Sequence, residues 1–205
     1  TLNRPALGHK GLLWLKATAE GKAAHGSRPE LGVNAINKLA RAVCRLEALH
    51  FGGAPHPVLG PATLNIGIIA GGTRPNAVPD RAEMQADVRT TPSHDAASLL
   101  EQIRACAGKD ITWEITQQLD PVWTDAGHPF VEQVGRALEC EAGTRPEHTF
   151  VHYATDGAVL KTVFDHAPIV ILGPGDPAAA HITDEYCDLS KLQEAVEIYE
   201  RLLSA

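Results

Sequence analysis

From residue 11 to residue 116 the spacing of apolar positions switches between two periods in a regular order. Leu13, Leu15, Ala17 and Ala19 alternate with Trp14, Lys16, Thr18 and Glu20, the two-residue period of a strand with one buried face. Val33, Ile36, Leu39, Ala40, Val43, Leu46 and Leu49 then recur at steps of three and four, which predicts a helix with one apolar face that stops before Gly52 and Gly53. Leu64, Ile66 and Ile68 predict a second strand. In a third, Ala82, Met84, Ala86 and Val88 alternate with Glu83, Gln85, Asp87 and Arg89. A second helix starts near Ser93, carries Leu99, Leu100, Ile103 and Cys106 on one face and ends at Gly108, and Ile111, Trp113 and Ile115 form a fourth strand. The order strand, helix, strand, strand, helix, strand predicts a ferredoxin-like βαββαβ domain, an antiparallel sheet with two helices on one face.

Beyond Leu119-Asp-Pro121 the pattern changes. Phe130, Val131, Val134 and Leu138 predict a helix with Pro129 in its first turn, and a shorter helix follows Asp156. Ile169 to Leu172 read as a strand, and Leu192, Val196, Tyr199 and Leu203 as the apolar face of a terminal helix. The Ile169 to Leu172 run is apolar on both faces, which predicts a central strand covered on both sides. The roughly 85 residues of this region are too few to supply that cover, because small domains bury a limited fraction of their surface. The chain therefore reads as α/β: an α+β domain over residues 11–118, flanked by residues 1–10 and 119–205 of a second, incomplete domain.

With 205 residues, 44% hydrophobic and 21% charged, the chain has room for a sizeable core in one or two domains. A formal net charge of −7 argues against nucleic acid or an anionic membrane as partner, since both need a basic face. No apolar run approaches a membrane span, and Thr1-Leu-Asn-Arg-Pro5 does not resemble a signal peptide. Cys44, Cys106, Cys140 and Cys187 are widely separated, so neither a zinc ribbon nor a disulfide scaffold is indicated and a cytoplasmic setting is expected.

Five places carry candidate chemistry. His25 lies in a loop of small residues between the first strand and first helix, either as a surface histidine in a turn or as a group projected toward a ligand. Asn76 sits in Gly71-Gly-Thr-Arg-Pro-Asn76-Ala-Val-Pro79, which is either a tight hairpin connection or a fixed backbone that offers an amide. Arg89, at the end of the third strand, can pair bidentately with a carboxylate or join a surface ion pair. Gly173-Pro-Gly175 ends the apolar run, and His181 follows as a possible metal ligand. A zinc hydrolase takes about three protein ligands and a water, and no second cluster with ligand spacing occurs in the chain.

Gly8-His-Lys-Gly11, Ala24-His25-Gly-Ser, Gly32-Val-Asn34-Ala-Ile36, Asn65-Ile-Gly with Gly71-Gly72, Asn76-Ala-Val-Pro79, Asp87-Val-Arg89, Gly173-Pro-Gly175 and His181 through Glu185-Tyr186 resemble one metallopeptidase family. It is the family of acetylornithine deacetylase, succinyl-diaminopimelate desuccinylase, aminoacylase and glutamate carboxypeptidase. The resemblance implies a hydrolase whose inserted lid, residues 11–118 here, mediates homodimerisation, beside a catalytic domain holding two divalent ions, zinc or alternatively cobalt. It further implies His181 as a metal ligand, and His25 as a donor to the tetrahedral oxyanion of the partner's site. Asn76 and Arg89 would bind substrate, and Gly173 and Gly175 would line the pocket.

The family's earlier part, with its His-x-Asp pair and Glu-Glu base, is absent, so a partial enzyme is expected that holds metal weakly or not at all on its own. Thr155-Asp156-Gly157 continues with Ala158-Val159 where several relatives carry an arginine, and Asp176-Pro-Ala-Ala-Ala180 has no amide side chain; both features are nearer acetylornithine deacetylase. The implied substrate is an N-acyl amino acid, with a carboxypeptidase or dipeptidase of the same family as the alternative. The reading from another class is a non-catalytic dimerisation or binding module.

Overall fold

A computed structural model describes residues 1–138, 147–180 and 182–204. The chain forms two compact units, one of Gly11–Leu119 and one of Thr1–Lys10 with Asp120–Ala205. The first holds β2 (Gly11–Glu20), α1 (Ala35–Glu47), β3 (Thr63–Gly71), β4 (Arg81–Thr90), α2 (Ala96–Ala107) and β5 (Ile111–Leu119). The second holds β1 (Ala6–His9), β6 (Val122–Trp123), α3 (Pro129–Leu138), β7 (Thr149–Val151), α4 (Gly157–Val163) and α5 (Leu189–Leu203).

The four strands of the first unit are antiparallel in the order β3-β4-β2-β5, the ferredoxin-like order expected from the periodicity. Leu13, Leu15, Met84, Val88, Leu39, Leu46, Leu99 and Ile103 share one buried core between sheet and helices. Each such side chain stabilises by about 1.5–3 kcal/mol relative to exposure. Asn34 and Asp95 start the helices by accepting the amides of Asn37 and Ser98.

The periodic reading fails where the ladder is interrupted. In β3 the register shifts between Ile66 and Ile68, so Ile66 stands opposite Ala86 but Ile68 stands opposite Gln85 on the other face. A bulge adds one residue and reverses every side chain beyond it. Ile68 is consequently 54% exposed instead of continuing the face of Leu64 and Ile66; Ile69 takes that face, opposite Met84, and is 55% exposed on this edge strand. Val33 and Ile36 are likewise exposed: Val33 precedes the helix and pairs with Lys22, outside the helical stripe.

In the second unit β1 is central, antiparallel to β6 and parallel to β7. None of these three short strands is visible in the hydrophobic pattern. Gly8 is required there, because a Cβ would stand 1.9 Å from the Val122 carbonyl oxygen. The Ile169 to Leu172 run is not a ladder strand covered on both sides. Ile171 exchanges two backbone hydrogen bonds with Ala6, and Ile169 is held at both its amide and carbonyl by the Thr124 hydroxyl. All four residues remain half-buried. The terminal helix also departs from expectation. Its buried positions are Ala195 and Ile198, whereas Leu192, Val196, Tyr199 and Leu203 are exposed.

Asn3 ties the start of the chain to α5 by donating to the Lys191 carbonyl and to Glu194. The Lys191 ammonium, and then Asn3, hold the Glu194 carboxyl below its ordinary value. A depressed carboxyl contributes stability above its unfolded-state value and loses it as pH falls through the folded one. Urea midpoints measured from about pH 7 to about pH 3 should therefore fall less steeply for Glu194→Gln than for the unsubstituted chain. Gly8→Ala should cost about 1–3 kcal/mol in the same unfolding experiment, since the obstructing atom is backbone.

Candidate functional site

Two loops prolong the β2/β4 ladder past its Glu20–Arg81 end. Val78 donates its amide to the Ala24 carbonyl, His25 bridges to Ala77, and Gly26 donates to the Asn76 carbonyl at 2.7 Å. His25 and Asn76 are thus brought side by side, both exposed. Gly26 permits this, because a Cβ there would meet Asn76 backbone atoms at 2.9–3.1 Å. The Ser27 amide points at His25 Nδ1 at 3.2 Å, and the Ser27 hydroxyl lies 2.7 Å from the same nitrogen. A backbone N–H only donates, so Nδ1 accepts and the neutral ring carries its proton on Nε2, as an outward donor.

Arg89 stands at the opposite end of β4. Thr90 pairs with Gly11 and Arg81 with Glu20, which places Arg89 roughly 26 Å from Arg81 along the strand at about 3.3 Å per residue. Its Nε and Nη2 donate to Asp87 Oδ2 at 3.2 and 2.8 Å. This ion pair orients the guanidinium and leaves donors on its other edge, the geometry that a bidentate carboxylate uses. Asp87 Oδ1 is buried with no hydrogen-bond partner among the described residues.

In the second unit Gly173 and Gly175 line a cavity of about 540 Å³ together with Tyr153, Ile171, Asp176 and Glu185. The Asn3 amide donates to the Gly173 carbonyl and the Leu2 amide to the Gly175 carbonyl, which pins the turn. A Cβ on either glycine would meet nothing within 4 Å, so both face open space. Tyr153 was not singled out by sequence, where it is one aromatic before Ala154-Thr-Asp. Burial pushes its hydroxyl above the ordinary value, which keeps it a protonated donor. Asp156 precedes α4 without capping it; the Thr155 hydroxyl accepts the Gly157 amide instead. A wider cleft of about 800 Å³ lies between α1 and β3 in the first unit, and none of the candidate residues lines it.

His181 lies outside the described residues. Among those described, no three His, Cys, Asp or Glu side chains converge as a metal centre requires. Several histidines are engaged with the protein itself: His9 with the Lys10 carbonyl and Thr155, His56 with the amides of Val58 and Leu59, His94 with Thr91 and the Gly52 carbonyl, and His128 with the Phe130 amide. The described donor set does not fit a divalent ion. Cys44, Cys106 and Cys187 are free thiols, and among the described residues no helix is long and apolar enough to cross a membrane.

Residues 7–113 match the family model of the peptidase dimerisation domain. The chain belongs to the M20 peptidase family. It is 32% identical over 216 residues to a probable carboxypeptidase of Aspergillus flavus, covering 96% of this chain and 48% of that protein. It is 31% identical over 218 residues to an acetylornithine deacetylase of Aliivibrio salmonicida, covering 97% and 54%. Among solved structures, aminopeptidase PepT from Bacillus cereus has a TM-score of 0.75 at 23% identity, over 98% of this chain and 53% of that one. An M20 family metallo-carboxypeptidase from Sulfolobus solfataricus has a TM-score of 0.73 at 18% identity, over 98% and 59%. These two structures share the fold. The chain spans about half the length of the curated relatives it matches. Its first unit is the family's dimerisation lid.

Glycine substitutions test the loop of each unit by itself. Gly26→Ala should destabilise by about 1–3 kcal/mol and speed amide exchange at Gly26 and Val78. Gly173→Ala and Gly175→Ala should leave thermal stability unchanged or raise it by up to about 1 kcal/mol.

Proposed function

We propose that this chain is the lid and part of the catalytic domain of a metal-dependent hydrolase that removes an acyl group from an N-acyl amino acid. The observation that carries this reading is the zippered pair of loops that hold His25, with Nε2–H outward, beside Asn76. A preorganised neutral donor of this kind suits an oxyanion, where one such bond is worth about 2.7–4 kcal/mol of barrier. Asn76 contributes an amide to substrate, and Arg89, oriented by Asp87, receives its α-carboxylate. Gly173 and Gly175 form the wall of the pocket with their backbone. His181 is the one residue of this chain assigned to metal; the other ligands and the base come from outside it. When bound, divalent metal, zinc or cobalt, would polarise the amide carbonyl and activate water.

The spacing along β4 supports a homodimer. His25 and Asn76 sit beyond one end of the strand and Arg89 sits at the other, too far apart for one small substrate to meet all three in one lid. Two lids are needed, with Arg89 from one copy and His25 and Asn76 from its partner. A second reading, a carboxypeptidase or dipeptidase with the same division of labour, is favoured by the naming of the fungal relatives. An N-acetyl amino acid and a dipeptide assayed side by side distinguish the two.

In sedimentation the chain should run as a dimer at tens of micromolar; a strictly monomeric chain would remove the role in trans. In a protein carrying both halves of the fold, His25→Ala should lower kcat by about 10²–10³-fold with metal content unchanged. An unchanged kcat would return His25 to a surface loop and the lid to a binding module.

A further inference from the structure

Trp14 puts a large apolar ring, of a kind that buries roughly 150–250 Å² when covered, on the polar face of the lid sheet. It is 44% exposed, while Trp113 on the core side is 9% exposed. Around it on that face stand groups that water solvates well: Asp87 and Gln117 directly opposite on the flanking strands, and Lys16 two residues along its own strand. An exposed indole attracts a neighbouring cation to its face. Here both cations beside it are directed to carboxylates instead: the Lys16 ammonium lies 3.1 Å from Glu83, and Arg89 donates to Asp87 at 2.8 Å. Single exposed apolar residues are ordinary, so exposure alone assigns Trp14 nothing; its place beside Arg89 does.

Arg89 stands opposite Leu12, and Trp14 stands opposite Asp87, so Trp14 and Arg89 are diagonal neighbours on one face of the β2/β4 ladder. Such neighbours are about 7–8 Å apart, within reach of aromatic and long side chains. Leu12 is buried, so on the β2 side of Arg89 the apolar surface open to solvent is the indole. A carboxylate held on the free edge of the Arg89 guanidinium therefore has an aromatic wall to one side and the solvated Asp87–Arg89 pair beneath it. We propose that Trp14 determines specificity: the side chain of an N-acyl amino acid lies against it once Arg89 holds the α-carboxylate, and amino acids with an aromatic side chain are selected. This deepens the hydrolase reading and rests on its assignment of Arg89. A methyl side chain ends one bond from the α-carbon and falls short of the indole, whereas a benzyl side chain reaches it and stacks at an offset or edge to face.

The chain itself, labelled with nitrogen-15, is titrated with N-acetyl-L-phenylalanine, N-acetyl-L-alanine and N-acetyl-L-phenylalaninamide while the tryptophan indole and arginine Nε–H resonances are followed. N-acetyl-L-phenylalanine should move Trp14 and Arg89 together, with half-saturation about 3- to 10-fold lower than N-acetyl-L-alanine shows at Arg89. The Trp113 and Trp123 indoles should stay in place, and the amide, which lacks the carboxylate, should not move Arg89. Trp14→Ala should bring the two carboxylates to equal half-saturation at Arg89, and Trp14→Phe should keep the preference. Because the side chain is exposed, the Tm should not fall in either variant. Equal half-saturation on the unsubstituted chain overturns the proposal, as does a preference that survives Trp14→Ala or a shift shared by all three indoles. Each of these leaves the hydrolase reading standing as long as carboxylates still move Arg89. If neither carboxylate moves Arg89, its assignment as the carboxylate receptor falls and the proposal falls with it.

Discussion

The ten-pair antiparallel register between β2 and β4, from Gly11 opposite Thr90 to Glu20 opposite Arg81, is the constraint on which the first unit depends. It aligns Leu13, Leu15, Ala17 and Ala19 with Val88, Ala86, Met84 and Ala82 on one face, and the two helices close over that face. Directly opposed pairs are the unit of sheet stabilisation, and a slip of one residue would turn the whole apolar set to water. The polar alternates face the other way, where Lys16 and Arg81 both pair with Glu83. The same register runs on through Ala24 and Val78 into the loops of His25 and Asn76. The candidate donor therefore inherits its position from the core, although it is exposed and touches none of it.

The second unit is organised differently. Its three strands are short, and much of its order comes from side chains that clasp backbone. Thr124 holds Ile169, Asn3 holds α5, and His9 engages Thr155, whose hydroxyl in turn accepts the Gly157 amide. Between these clasps, Tyr153 and Ala154 line one cavity together with Gly173 and Gly175. Buried polar groups that are satisfied in this way specify geometry more than they add stability. The apolar stripe left outward on α5 is the complement of this arrangement, since a unit that spends its side chains on local clasps closes little of its own core.

The elements legible in the sequence are those whose side chains alternate strictly or recur at helical steps over ten or more residues. In β4 the polar and apolar positions separate as read, and α3 and α4 begin where Pro129 and Asp156 place them. Ile68 escaped because a single bulge changes the face of all that follows, and a bulge leaves no trace in hydrophobic period. The strands β1, β6 and β7 escaped because two to four residues cannot show a period at all. Leu192, Val196, Tyr199 and Leu203 form one stripe of the terminal helix, as their spacing predicts, but the buried positions are Ala195 and Ile198. Which of two stripes is covered depends on what stands opposite, which spacing does not encode.

The sequence by itself determined the βαββαβ order, the apolar sets that form its core, and the motifs by which the family is recognised, because each of these is local or repeats at a fixed step. Only the tertiary structure decided that His25 and Asn76 are neighbours while Arg89 stands a strand's length away, that the Ser27 amide selects the His25 tautomer, and that Gly173 and Gly175 face open space. The first of those facts arises from pairing between segments tens of residues apart. The free energy of such pairing lies in backbone hydrogen bonds and close approach, which any residue of suitable size can supply, so side-chain identity along the chain leaves it unwritten.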